Sequence, residues 1–113
     1  PFGFTDYIHL QMKALCAISD SGTISEESAI LNFPAVSIRK SMERPESQDA
    51  GTIILTGFNP DVVLSSINIA IGEREKNIAK SPSPDYLIPD TSWRVLKIIQ
   101  GLATLSNGWH GVV

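Results

Sequence analysis

Cysteine is nearly absent: Cys16 stands alone among 113 residues. One cysteine excludes an internal disulfide, and inside an apolar run it reads as a buried small hydrophobe. A chain without disulfides fits a reducing compartment, so a cytoplasmic location is expected. Long hydrophobic runs are also missing. No stretch approaches the roughly 20 apolar residues of a membrane span, and no membrane partner is expected. No charged-then-apolar signal segment opens the chain. An excess of basic charge is missing as well, since 9 Lys and Arg face 12 Asp and Glu for a net charge of −3. Nucleic acid is therefore a poor partner, because phosphate contacts need clustered Lys and Arg. Neither a metal nor a cofactor is expected. The chain opens Pro1-Phe-Gly-Phe4 without a Met, as a piece that starts inside a larger chain would.

What is present belongs to a folded domain. Hydrophobic residues make up 42% and charged residues 19%, a balance outside the disordered range and sufficient for one core. Apolar residues at Tyr7, Ile8, Met12 and Leu15 predict a helix over 5–15. Residues 14–19 read as a first strand, followed by the turn Asp20-Ser-Gly-Thr23. Residues 26–33 read as a short helix that Pro34 stops, and 35–38 as a second strand. Residues 39–50 are polar and broken by Pro45, hence a loop with at most a helical turn after the proline. Gly51 to Gly57 is a β-branched third strand. Asn59 is a good N-cap with Pro60 at the first helical position, for a helix over 61–76.

Pro82, Pro84 and Pro89 make 77–90 an irregular connection. Thr91 or Ser92 then caps a last helix over 93–105, ended by Asn107-Gly108. The strands are continuous apolar runs, which predicts an α/β fold with a parallel sheet covered on both faces. Three strands make a narrow sheet. Exposed apolar surface is expected where further strands would pair.

The turn Asp20-Ser-Gly-Thr23 is the first candidate site. In open α/β sheets, ligands bind beyond the carboxyl ends of the strands. A helix N-terminus carries unpaired N–H groups and favours anions. Gly22 admits close backbone approach, and Ser21 and Thr23 add hydroxyls. A plainer reading stands beside it: Thr23-Ile-Ser-Glu26 fits a capping box. Glu43-Arg44-Pro45-Glu46 is the second cluster and should emerge on the same sheet edge. Arg44 there could grip a diphosphate, or the loop could be a solvated charged one.

Together the clusters resemble a known family. DSGTISEES, then PAVSIRKSMERPES, then AGTIILTG is similar to the C-terminal region of the non-hydrolysing UDP-N-acetylglucosamine 2-epimerases. Asp20-Ser-Gly22, Glu26-Glu27, Arg39, Glu43-Arg-Pro-Glu46, Gly51 and Gly57 match its pattern. The resemblance covers residues 4 to 76. It implies a three-layer Rossmann-like fold, a parallel sheet flanked by helices, as the second half of the C-terminal domain of a GT-B-like enzyme. It implies a UDP-sugar substrate that is epimerised by elimination and re-addition of UDP. By the same resemblance, Ser21 and Gly22 bind the diphosphate, with Thr23 in place of a second Gly. Glu27 holds the ribose hydroxyls, Arg44 contacts phosphate and Tyr7 lies against the uracil.

Thr23 and Ser25 depart from the usual Gly and Gln. That form is similar to a subgroup making UDP-N-acetyl-L-fucosamine from the L-talosamine derivative for surface polysaccharides. The family's acids and bases lie in parts outside this sequence, so no catalytic residue is named. His9, in the first helix, is expected to pack or face solvent, and His110 has no motif. Residues 1–76 are then a nucleotide-binding subdomain, 77–90 a Pro-rich connection and 91–113 a C-terminal helix and tail. The implied partners are a UDP-sugar, the N-terminal domain of a parent chain and, at full length, a second copy in a homodimer. The fragment alone should not turn over substrate. A UDP-sugar-dependent glycosyltransferase, a non-catalytic UDP-sugar-binding module and a bare capped fold are the competing readings.

Overall fold

The computed structural model describes residues 1–111. In chain order they form α1 (Phe4–Lys13), β1 (Ala17–Ser19), α2 (Ile24–Leu31), β2 (Ala35–Ser37), α3 (Glu46–Asp49), β3 (Ile54–Leu55), α4 (Pro60–Glu75), a 3-10 turn (Pro84–Leu87) and α5 (Thr91–Trp109). The three strands are parallel in the order β1-β2-β3. This is the α/β architecture expected from the continuous apolar runs. The strands are shorter than predicted: β1 starts at Ala17 rather than Ala14, and β3 holds two residues. The helix after the turn runs over Ile24–Leu31 instead of 26–33. Asn32 ends it in the left-handed region at φ 55°, a conformation that Asn tolerates.

The core sits between α2 and the sheet. Ile24, Phe33, Ala35 and Ile53 form its buried cluster, with Ala17, Leu31 and Met42 packed against it. Ala17 and Ala35 are partners in the strand register, so they point to one face together. Val36 points to the other face by the pleat and is fully buried. Helix α4 packs on β2 and buries Ser66 and Ala70. Coverage stops at the sheet edge, where Ile18 of β1 is 53% exposed. The edge strand thus carries exposed apolar surface.

Small buried hydroxyls fasten the polar loop. Ser47 of α3 donates to the Ser25 carbonyl at 3.0 Å and lies 3.1 Å from the Tyr86 hydroxyl. Thr52 Oγ1 donates back to the Ser47 carbonyl at 3.1 Å. At the amino ends of the strands, Arg74 donates to the Ala14 carbonyl at 2.9 Å and Lys80 to the Phe33 carbonyl at 2.7 Å. Burial pushes the Lys80 ammonium below its ordinary pKa, with Glu73 opposing.

Two helix ends differ from expectation. Asn59 accepts from the Asp61 and Val62 N–H groups with Pro60 at the first position, as predicted. In α5, by contrast, the N-cap is Asp90, and the Thr91 hydroxyl donates to the Ile88 carbonyl instead of capping. Asn107-Gly108 does not end α5, which continues through both to Trp109. The Asn107 and Gly108 signal for a left-handed stop is overridden because both residues can also stay helical, at a propensity cost of about 1 kcal/mol for the Gly. No residue of α5 is buried. Trp93, Leu96, Ile99 and Leu102 are among its exposed apolar side chains, so the helix adds length to the molecule and little to its core.

Cys16 lies before β1 and is half-buried, less enclosed than its apolar run implied. Burial pushes its thiol pKa up, with Lys80 partly offsetting. The unfolded thiol ionises first as pH rises, so this contribution favours the fold at neutral pH and is lost through the alkaline thiol range. Iodoacetamide labelling at pH 8 is expected to be slower in the folded chain than in urea; equal rates would count against the burial. Phe33→Ala should destabilise the chain by about 3–5 kcal/mol through the cavity it leaves, read as a urea midpoint shift followed by circular dichroism.

Candidate functional site

Parallel strands that start together end together. The segments after β1, β2 and β3 therefore leave from one edge, carrying Asp20, Arg39 and Gly57. The turn after β1 is organised by its own hydroxyls. The Ser21 N–H donates to Ser19 Oγ at 3.0 Å, and the Thr23 N–H donates to Ser21 Oγ at 3.3 Å. Ser21 Oγ and Thr23 Oγ1 are 3.0 Å apart and share a hydrogen bond.

The capping box predicted at Thr23 and Glu26 does not form. Thr23 is the N-cap residue, but with helical φ and ψ of −70° and −18°, and no side chain caps α2. A capping hydroxyl needs an extended N-cap residue to reach the second or third N–H. Here Thr23 Oγ1 turns to Ser21, and Glu26 pairs with Arg44 at 2.9 Å. Helix α2 thus keeps first-turn N–H groups without a side-chain acceptor, at the positive end of its dipole.

Two guanidinium groups converge on this turn. A Cβ at Gly22 would lie 3.7 Å from Arg39 Nη1, 3.8 Å from Arg44 Nη1 and 4.0 Å from Glu43 Oε2. Arg39 is held by Glu43 at 2.8 Å, and its hydrogen bond and charge keep the Glu43 carboxyl below the usual carboxylate range. Arg44 sits where the loop pinned by Ser47 brings it back over α2. These ion pairs are partly exposed, with Arg44 at 45% and Glu43 at 70% of the side chain. Exposed pairs of this kind contribute little to stability. An incoming anion can therefore take a share of either guanidinium at small cost, since each presents five donors.

A second cluster lies one helical turn further along α2. Glu27 follows Thr23 through its N–H, which donates to the Thr23 carbonyl at 2.9 Å. Its Oε2 accepts from Gln11 Nε2 at 2.8 Å, and the same nitrogen is 2.8 Å from the Tyr7 hydroxyl oxygen. Burial and the Glu27 carboxylate push the Tyr7 phenol above its ordinary pKa, so it keeps its proton. Tyr7, Gln11, Ser19 and Ile24 line a cleft of about 420 Å³. A neighbouring cleft of about 380 Å³ is lined by Asp20, Ile38, Arg39, Lys40 and Phe58.

Ser21, Gly22, Thr23 and Arg44 thus meet at one turn, and Glu27 and Tyr7 meet through Gln11. Sequence reasoning did not single out Gln11. Its signal was a polar residue on the apolar stripe of α1, one turn after Tyr7. His9 is exposed on α1 and His110 follows α5, and neither enters this network. Among the described residues, no group of three or more His, Cys, Asp or Glu is placed to hold a metal ion. No helix of the described residues is long and apolar enough to cross a membrane.

A family model described as UDP-N-acetylglucosamine 2-epimerase matches residues 1–100. The chain belongs to this family. It is 39% identical over 67 residues to the UDP-N-acetylglucosamine 2-epimerase of Methanococcus maripaludis, covering 59% of this chain and 18% of that relative. The epimerase structure from Rickettsia bellii matches 94% of this chain and 29% of its own, at 44% identity and a TM-score of 0.84. The epimerase from Neisseria meningitidis, in a structure bound to UDP-GlcNAc, covers 88% of this chain and 28% of its own at 29% identity, with a TM-score of 0.67. The chain therefore spans under a third of these epimerases' length. Its sheet and helices are those of a segment of GT-B-like 2-epimerase chains.

Gly22 supplies the sharpest test of the turn. An added methyl meets only ordinary contacts, so Gly22→Ala should leave thermal unfolding within about 0.5 kcal/mol of the unaltered chain. It fills the space between the guanidiniums. Inorganic pyrophosphate, titrated calorimetrically, should lose most of its binding to the variant; undiminished binding would remove the turn as an anion site.

Proposed function

We propose that this chain holds the UDP moiety of a sugar nucleotide for a 2-epimerase. The observation that carries the reading is the convergence of Arg39 and Arg44 on Gly22, beside the uncapped N-terminus of α2. Two fixed cations and free N–H groups suit a diphosphate, which presents several acceptor oxygens at close spacing. Membership of the 2-epimerase family and the UDP-GlcNAc-bound relative from Neisseria meningitidis support it.

Each residue has a role in this reading. Ser21, the Gly22 backbone, Thr23 and Arg44 take the diphosphate. Glu27, an acceptor-only carboxylate, takes the ribose hydroxyls. Tyr7 offers its ring to the uracil, and the cleft beside it gives a base room. In an epimerisation by elimination and re-addition of UDP, negative charge grows on the departing diphosphate. Preorganised cations and N–H groups at that point favour the departure and hold UDP for its return. The proton transfers belong to residues outside this sequence. The reading includes a parent chain whose N-terminal domain closes the cleft, a homodimer at full length, a cytoplasmic location and a place in surface-polysaccharide synthesis. Thr23 and Ser25 favour the L-talosamine to L-fucosamine subgroup within it.

A glycosyltransferase of the same architecture is the second reading, favoured by the same strand–turn–helix hold on UDP. Trapping a free glucal intermediate in the full-length parent enzyme would separate the two. For the site itself, UDP is titrated into the chain and followed by backbone amide shifts. Shifts should centre on Ser21, Gly22, Glu27 and Arg44, and Arg44→Ala should weaken binding about 10- to 100-fold, the worth of a charge-assisted hydrogen bond. Shifts scattered elsewhere, or an unaffected R44A variant, would sink the assignment.

A further inference from the structure

Gln11 is the most buried polar side chain of α1, at 7% exposure, in a helix that is otherwise largely exposed. Its amide nitrogen bridges the Glu27 carboxylate and the Tyr7 hydroxyl, both at 2.8 Å. Its amide oxygen is buried with no hydrogen-bond partner. That arrangement is costly, because a buried acceptor without a donor forfeits its hydration. The alternative orientation is worse: rotating the amide would aim its oxygen at the Glu27 carboxylate, acceptor against acceptor. An apolar side chain of the same length would avoid the cost altogether. The unpaired oxygen therefore offsets part of what the two bonds of the amide nitrogen contribute to stability.

We infer that Gln11 is a positioning residue that fixes Glu27 and Tyr7 relative to each other, and so sets selectivity for a ribonucleoside over its 2′-deoxy counterpart. The inference rests on the proposed roles of Glu27 at the ribose and Tyr7 at the base. A carboxylate on a short helix has several rotamers. The Gln11 N–H bond selects the one that brings Oε2 to the amide, and the second contact of the same nitrogen fixes the tyrosine hydroxyl. Base and sugar recognition are thereby tied to one amide. Arg39, Arg44 and the turn lie outside this tie, so the diphosphate is held independently of it.

The test compares UDP, 2′-deoxy-UDP and inorganic pyrophosphate by calorimetry on the unaltered chain and on Gln11→Met. The unaltered chain should prefer UDP over 2′-deoxy-UDP by about 10-fold. In Q11M this preference should fall to near unity while pyrophosphate binding is unchanged, and the thermal midpoint should be equal or higher. A retained preference, or a lowered midpoint with pyrophosphate binding lost as well, would make Gln11 a packing residue only. Gln11→Glu supplies the second arm. A carboxylate facing Glu27 replaces the donor with an acceptor, so Q11E should lose the preference for UDP over 2′-deoxy-UDP as Q11M does, with pyrophosphate binding retained. A preference kept in Q11E overturns the inference. If the unaltered chain binds UDP and 2′-deoxy-UDP equally, the ribose role of Glu27 falls and this inference falls with it, leaving the diphosphate site intact. If it binds no UDP at all, the proposed function fails first.

Discussion

The parallel pairing of β2 between its two neighbours places everything else. Ala35, Val36 and Ser37 are buried along the whole of β2, and their partners on both sides run in the same direction. Antiparallel neighbours would send alternate connections to opposite edges. Here the turn after β1 and the loop after β2 leave together, and two arginines from the second can reach a glycine in the first. The distance is closed by a serine hydroxyl. Ser47 bonds into the first turn of α2 through the Ser25 carbonyl, and small residues at Ser25 and Ser28 let α3 come that close. The Arg44 loop is therefore tethered to the helix whose N-terminus it faces.

The electrostatics of the site are arranged for exchange rather than for stability. Arg39 and Arg44 are each occupied by a carboxylate from nearby in the fold, and those carboxylates are themselves partly solvated. Pairs of this kind add little to folding. They keep two cations aimed at Gly22 in the resting chain without burying an uncompensated charge. A ligand with more negative charge than Glu26 or Glu43 meets the guanidiniums already oriented, so less side-chain entropy is lost on binding. Gln11 does the corresponding work for Glu27, at the expense of one unsatisfied oxygen.

The sequence disclosed the parallel sheet, because residues 14–19, 35–38 and 51–57 were continuous apolar runs. Asn59-Pro60 marked its helix start correctly, since both residues act through local backbone geometry. What local pattern could not settle were the places where tertiary partners compete. Thr23 and Glu26 had capping-box spacing, but Ser21 and Arg44 claimed their side chains. Asn107-Gly108 read as a stop, but both residues can also stay helical, and α5 runs on to Trp109. Of the site, the Ser21-Gly22-Thr23 turn and Arg44 were visible from their motifs. Gln11 was not, because a glutamine on an apolar stripe carries no motif, and its meaning depends on Glu27, 16 residues away.

The placement of the tryptophans has a practical consequence. The chain has two, Trp93 and Trp109, and both lie on α5, at 56% and 68% exposure. The tyrosines lie elsewhere: Tyr7 beside Glu27 and Tyr86 against Ser47. Intrinsic fluorescence is therefore divided by wavelength between two regions. Excitation of tryptophan reports the surroundings of α5 and is silent about melting of the sheet, whereas tyrosine emission follows α1 and the contact of Tyr86 with Ser47. A blue shift in tryptophan emission when another polypeptide is added would signal that α5 has been covered, independently of anything bound at Gly22.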